Sequence, residues 1–363
     1  MGGELNPAQR LHALGQSLWL DSINRVMLRT GTLARYVRDL AVTGLTSNPT
    51  ILGHAMAAGS DYDSSLARLV ADGVTDAQDL VYALALEDLA EAAALFRPAW
   101  EQTGGADGYV SLEVPPDVAY DAAATVPLAR RLHDQAGFPN LLVKSPGTPQ
   151  GLTAMEEAIT AGIGVNVTLF LRHSLPAHRR RLPAGPRAPP PRRPGPGGAL
   201  GGLGVHLPLG CRRRPAAAAR AARQPGAGDG PEDLRLPCAA ALGQALAGAR
   251  RGRRPPAAGP VGIHLDQEPR PAGHLLSGPA RRPDTIDTVP EKTLLAFADH
   301  GSLDDRLEPD YAAAERAIAA TADAGVDADA LAEHLQRQGA GAFTADWAAL
   351  LTAIKEKAAK PTT

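Results

Sequence analysis

Between Leu171 and Arg282 the chain contains no Phe, Tyr, Trp, Asn, Thr, Met or Lys. Each absence excludes something. Without aromatic side chains, and with almost no β-branched ones, these 112 residues have little with which to build an apolar core. They also hold 19 of the 32 prolines, and proline interrupts helix and strand alike. The stretch is expected to be disordered, rich only in Arg, Pro, Ala and Gly.

Other absences act on the whole chain of 363 residues. Cysteine is confined to Cys211 and Cys238, with no CxxC spacing and no neighbouring histidine pair, which leaves neither a disulfide framework nor a zinc site and predicts two free thiols. No apolar run approaches the length that crosses a membrane, and Met1 to Asn6 lack the basic-then-apolar order of a signal peptide. A cytoplasmic protein without membrane partners is expected. No GxGxxG or Walker string is present. Lysine is scarce: Lys144 is the only one among the first 291 residues.

The formal net charge of −2 conceals a split. Residues 171–282 carry 20 Arg and 5 acidic groups, whereas the remainder carries 17 basic and 34 acidic groups. An Arg-rich centre of net +15 permits a nucleic-acid reading, through salt-dependent phosphate contacts. The lack of aromatics and lysine and the dense proline argue against that partner.

Outside this centre, short apolar strands alternate with longer amphipathic helices, the rhythm of a parallel α/β fold. The strands predicted are Ser17–Asp21, Val42–Thr46, Tyr109–Glu113, Asn140–Lys144, Gly164–Thr168 and a stretch within Pro283–Pro290. Helices are predicted over Thr75–Gln102, Asp121–Ala136, Glu291–Phe297, Pro309–Ala322, Ala328–Gln336 and Thr344–Glu356. Six strands, each with a polar residue at or just past its C-terminal end, fit an incomplete (β/α)8 TIM-type barrel in one domain spanning 1–363. Catalytic groups gather at that edge of such barrels.

The edge set is Asp21, Asn48, Glu113, Lys144, Asn166 and Thr168. A lysine ending the apolar run Asn140-Leu141-Leu142-Val143 is desolvated, which favours its neutral, nucleophilic form and suggests a Schiff base with a carbonyl substrate. A nearby carboxylate can shuttle protons, and Asn and Thr side chains can hold hydroxyls or a water. The arrangement calls for no metal and no cofactor. Singly, each residue also has a structural explanation: Lys144 snorkelling past a strand end, Asp21 capping a turn, Asn48 opening one before Pro49, Glu113 ending a strand.

Around these residues the chain is similar to the bacterial transaldolases, a class I aldolase-like family. The strings that carry the resemblance are GQSLWLDSINR (15–25), VTGLTSNPTIL (42–52), VSLEVPPDVAYD (110–121), LLVKSPGTPQGLTAMEEAI (141–159), GVNVTLF (164–170) and PDTIDTVPEKTLLAFADHG (283–301). The resemblance implies that Lys144 forms a Schiff base with the dihydroxyacetone part of a ketose phosphate, and that Asp21 takes the proton of the hydroxyl beside the bond cleaved. It implies that Glu113 and Thr168 hold the relay water and that Asn48 and Asn166 bind dihydroxyacetone hydroxyls. The implied reaction moves a three-carbon unit from sedoheptulose 7-phosphate to glyceraldehyde 3-phosphate, giving erythrose 4-phosphate and fructose 6-phosphate in the pentose phosphate pathway. A related lyase that cleaves fructose 6-phosphate without an acceptor fits the same edge residues.

The family's two further strands and its Ser/Arg phosphate site fall where this chain has residues 171–282. Read one nucleotide later, the codons for Pro260–Pro269 permit Leu-Trp-Ala-Ser-Thr-Ser-Thr-Lys-Asn-Pro, and those for Arg181–Pro186 permit Ala-Tyr-Leu-Arg-Gly-Leu. Both are family-like. A pair of compensating frameshifts near Phe170 and Arg282 is the expectation, since out-of-frame reading of a GC-rich gene yields the Arg, Pro, Ala and Gly seen. As written, two barrel strands are expected to be disrupted, and phosphate binding and activity to be weakened or lost.

Overall fold

The structure, a computed structural model, describes residues 5–47, 49–57, 59–168, 203–205, 261–264, 285–303, 323, 325 and 327–359. Its strands are β1 (Gln16–Leu20), β2 (Val42–Thr46), β3 (Val110–Glu113), β4 (Leu141–Pro146), β5 (Val165–Thr168), β6 (Leu203–Val205), β7 (Val261–His264) and β8 (Thr285–Val289). They form one curled sheet in the order β5-β4-β3-β2-β1-β8-β7-β6. Every pairing is parallel except that of β6 with β7. This is the strand order of a (β/α)8 barrel, with β5 and β6 at its two edges.

Two barrel strands were expected to be disrupted. The described part of 171–282 comprises β6 and β7; β7 lies parallel on β8, whereas β6 runs antiparallel to β7. The disorder expected for the rest of 171–282, and the state of Cys211 and Cys238, lie outside the described residues.

The helices before β3 are α1 (Pro7–Ala13), α2 (Arg25–Arg29), α3 (Thr32–Leu40), α4 (Pro49–Ala57), α5 (Asp63–Ala71) and α6 (Ala77–Gln102). After it come α7 (Ala122–Ala136), α8 (Pro149–Thr160), α9 (Glu291–His300) and α10 (Ala328–Ala358). One sequence expectation needs correction, at α10. Two helices were expected across 328–356, yet one continuous helix runs through Gly339 and Gly341. Glycine in a helix interior costs about 1 kcal/mol, and packing of Trp347, Leu350 and Ile354 into the core offsets it. The helix expected at 309–322 lies outside the described residues.

Strand alternation sorts the core into two layers. Leu18, Leu20, Val110, Leu112, Leu141, Val143, Val165 and Val167 face the helices. Trp19, Tyr109, Leu142 and Ile286, joined by Trp100, form a separate cluster inside the curl. Gly44 makes room for it: a Cβ there would stand 2.6 Å from the Trp19 ring and 2.7 Å from the Tyr109 carbonyl. The indole Nε1 of Trp19 donates to Asp107 at 2.8 Å, satisfying its polar end.

β1 and β8 are joined on the helix side by Gln16 Nε2, which donates to Asp287 Oδ2 at 3.0 Å. Burial pushes the Asp287 carboxyl up to about 8. A carboxyl raised in the folded state binds its proton more tightly there, so its contribution is complete below about pH 4 and is lost as pH rises through about 8. Asp287→Asn keeps the acceptor for Gln16 but cannot ionise. Its thermal midpoint is expected to fall less than the parent's between about pH 5 and about pH 8. Parallel slopes in thermal unfolding at both pH values would refute this.

Candidate active site

The edge of the curl is built by carrying the inner face of each strand to its C-terminal end. Asp21 follows Trp19 by two residues, Glu113 follows Tyr109 by four, and Lys144 follows Leu142 by two, so alternation puts all three on the inner face. Register brings them level: Glu113 pairs with Lys144, and Lys144 with Asn166 on β5. Thr168 pairs with Pro146 one step further out. Of the six residues predicted, five are brought to this edge. Asn48 lies outside the described residues.

Lys144 is 7% exposed and Glu113 5%. Lys144 Nζ lies 3.2 Å from Glu113 Oε2 and donates to the Ser47 carbonyl at 3.5 Å. The ammonium thus stays within the fold, against snorkelling to solvent. Burial pushes the Glu113 carboxyl up, the Lys144 charge pulls it down, Asp21 adds an upward push, and the net direction is up. A carboxyl raised in this way exchanges its proton closer to neutrality.

Asp21 is anchored twice. Its backbone N–H donates to the Val289 carbonyl at 2.9 Å, and its Oδ1 accepts from Thr46 Oγ1 at 2.7 Å. Four residues on, the buried Arg25 guanidinium pins the following segment. It lies 2.8 Å from both Asp88 and Glu87, donates to Ser65 at 2.7 Å, and sits 4.3 Å above the Tyr62 ring. Asn166, fully buried, donates through Nδ2 to Ser111 Oγ at 2.9 Å.

Local sequence explains why β4 ends where it does. Pro146-Gly147 stops the strand, Thr148 caps α8 by accepting from Gly151 N–H at 2.8 Å, and Pro149 takes the first helical position. Gly151 is required there, since a Cβ would stand 2.1 Å from the Pro146 carbonyl oxygen. The C-terminal helix α10 crosses the same edge. Gln336 donates to the Gly147 carbonyl at 3.1 Å, Thr50 hydrogen-bonds Asp346, and Trp347 stacks 5.6 Å from Tyr82. Tyr82 in turn donates to the Glu113 carbonyl at 3.4 Å.

The sequence reading missed Thr46, Ser47 and Ser111. Their signal was the strand period, because Ser111 lies two residues before Glu113 on the same inner face and Thr46 stands beside Asp21 on the neighbouring strand. Among the described residues, no group of three His, Cys, Asp or Glu side chains is placed to hold a metal ion.

A barrel edge of this kind, with a buried ion pair ringed by hydroxyl and amide groups, defines a class of enzyme that acts on carbonyl compounds. Comparison with known proteins gives the family. A family model described as Transaldolase/Fructose-6-phosphate aldolase matches residues 18–174 and 275–354. A transaldolase of Thiobacillus denitrificans is 37% identical over 381 aligned residues, which cover 96% of this chain and 100% of that one. Transaldolase 1 of Streptomyces coelicolor is 35% identical, covering 95% of this chain and 93% of its own. A transaldolase of an Arthrobacter species is 40% identical over 164 residues, 45% of this chain. The chain belongs to the transaldolase/fructose-6-phosphate aldolase family. Its homologues make it a transferase of aldehyde and ketone groups, in carbohydrate metabolism, and favour transfer over acceptor-free cleavage.

Proposed function

We propose that the chain transfers a dihydroxyacetone unit from sedoheptulose 7-phosphate to glyceraldehyde 3-phosphate through a Schiff base on Lys144, in the cytoplasm. The observation that carries the reading is the buried contact of 3.2 Å between Lys144 Nζ and Glu113 Oε2. An amine must be unprotonated to attack, and Glu113, its carboxyl raised by burial, is the neighbour that takes the proton. The Nζ–C2 bond forms and the ketone oxygen leaves as water, with Glu113 and Thr168 holding that water.

Asp21 accepts the proton of the C4 hydroxyl. The C3–C4 bond then breaks, erythrose 4-phosphate leaves, and the three-carbon enamine stays on Lys144 until it attacks the acceptor aldehyde. Asn48 and Asn166 bind the hydroxyls of the retained unit. Thr46, donating to Asp21 Oδ1, holds the carboxylate at the edge of the curl.

Asp21→Asn separates the steps. Transfer is expected to fall about 10²-fold or more, the usual worth of a positioned acid–base group. Dihydroxyacetone needs no C–C cleavage to form its imine, so borohydride is expected to trap it on Lys144 in this variant as in the parent. Normal transfer by Asp21→Asn would overturn the role given to Asp21.

The whole chain is read as one barrel domain in which residues 171–282 are translated out of frame. Their composition and the family-like windows one nucleotide later support this. So do the limits of the family match, which stops at 174 and resumes at 275.

A further inference from the structure

Lys144 is bracketed by acceptors that come from two other strands. Beside the 3.2 Å contact with Glu113 Oε2 on β3, its Nζ donates to the main-chain carbonyl of Ser47 at 3.5 Å, one residue past the end of β2. Ser47 is fully buried and tied down twice. Its Oγ donates to the Ser111 carbonyl at 2.8 Å, and its backbone N–H donates to that same carbonyl at 3.2 Å. A carbonyl only accepts, so the hydroxyl is the donor and the sense of this bond is fixed.

The two acceptors behave differently during the reaction. Glu113 gains and loses a proton, whereas a main-chain carbonyl does not titrate and can serve every stage unchanged. Of the three N–H bonds of the ammonium, two are broken as the Nζ–C2 double bond forms, their protons leaving in the water made from the ketone oxygen. One N–H stays on the iminium. Ammonium, amine and iminium therefore each present a donor that the Ser47 carbonyl can hold. An N–H held there also removes one of the three staggered positions open to the amine lone pair, which must face the ketone carbon to attack it.

We propose that Ser47 is a positioning residue whose hydroxyl aims its own carbonyl at the N–H that Lys144 keeps throughout imine formation. This rests on the Schiff-base reading of Lys144. The 3.5 Å contact is at the long end of hydrogen bonding, so a small swing of the carbonyl breaks it. With Ser47 reduced to alanine, the residue keeps only the longer of its two bonds to the Ser111 carbonyl, and that swing is freed.

The test uses the full chain and dihydroxyacetone, which forms its imine without C–C cleavage. Protein and ketone are mixed, quenched with borohydride at successive times, and the reduced adduct on Lys144 is quantified by mass spectrometry. Ser47→Ala is expected to lower the rate of adduct formation at saturating ketone about tenfold, the worth of one hydrogen bond, while the half-saturating concentration moves less than about twofold. Ser47→Thr keeps the hydroxyl and is expected to recover most of the rate. An unchanged saturating rate in Ser47→Ala, or an effect confined to half-saturation or thermal midpoint, overturns the inference while leaving the Schiff-base reading intact. A loss that Ser47→Thr shares in full does the same. Should Ser47→Ala unfold, Ser47→Cys, a weaker donor of similar size, is expected to slow adduct formation in the same direction, and a parent-like rate there overturns the inference. Absence of any adduct on Lys144 in the folded parent overturns the Schiff-base reading, and this inference with it.

Discussion

Incubation with dihydroxyacetone or fructose 6-phosphate followed by borohydride is expected to leave a reduced three-carbon adduct on Lys144 and on no other lysine. The competing amines are Lys292, Lys355, Lys357 and Lys360. Lys357 is held in an ion pair at 2.8 Å with Asp63 and donates to the Gly59 carbonyl, so it is engaged as a cation. Among the described lysines, Lys144 alone stands buried on the inner face at a strand's C-terminal end, 3.2 Å from a carboxylate able to take its proton. Lys144→Ala is expected to abolish the adduct and to lower transfer at least about 10⁴-fold, since no neighbouring group can form the covalent intermediate in its place. Lys144→Arg is expected to do the same, because guanidinium does not deprotonate in proteins. An adduct that persists in either variant, or maps to the C-terminal lysines, would remove the Schiff-base assignment.

Lys144 and Glu113 were legible in the sequence because charge at the end of an apolar run is rare and has a definite physical cost. Their partners were harder to read. Ser111 and Thr46 are neutral, common in strands, and informative only once register is known: Asn166 reaches Ser111 across β4, a relation no local pattern encodes. Asp287 was passed over for a similar reason. It stands in the middle of the β8 string, and only the pairing of β1 with β8 places it against Gln16.

The fold was legible where alternation and helical period were clean, in strands β1 to β5 and β8 and in helices α6, α7 and α9, whereas the shorter helices α1 to α5 and α8 were not predicted. It was misread at α10, where glycine reads locally as a stop but tertiary packing of Trp347, Leu350 and Ile354 carries the helix through. In the described part of 171–282, Val261–His264 lines up parallel on β8, but β6 is antiparallel to β7. Direction is a stricter test than pairing. A β/α barrel needs each strand parallel to the next; β6 is antiparallel to β7, and among the described residues no strand is hydrogen-bonded to the outer side of β5.

Restoring the reading frame between Phe170 and Arg282 is therefore expected to have the largest gain of any change to this chain. Substrate phosphate is a dianion, and the resemblance implies that the Ser and Arg groups that hold it come from the interval that is here Leu171–Arg282. Each charge-assisted hydrogen bond contributes about 1.5–3 kcal/mol, so recovering two of them raises kcat/KM for sugar phosphates by about 10³-fold or more. Phosphate-free dihydroxyacetone should not share the gain, because its imine depends on Lys144, Glu113 and the pocket around them. The same restoration is expected to raise thermal stability, by giving β5 a parallel neighbour and closing the sheet. The comparison is direct: steady-state transfer and borohydride trapping on both proteins, one expressed from the gene as written and one from a gene shifted by one nucleotide across that interval. Equal kcat/KM for the two, or an independent read of the gene that keeps the written frame with ordinary codon usage throughout, would sink the frameshift proposal while leaving Lys144 and its neighbours where they are.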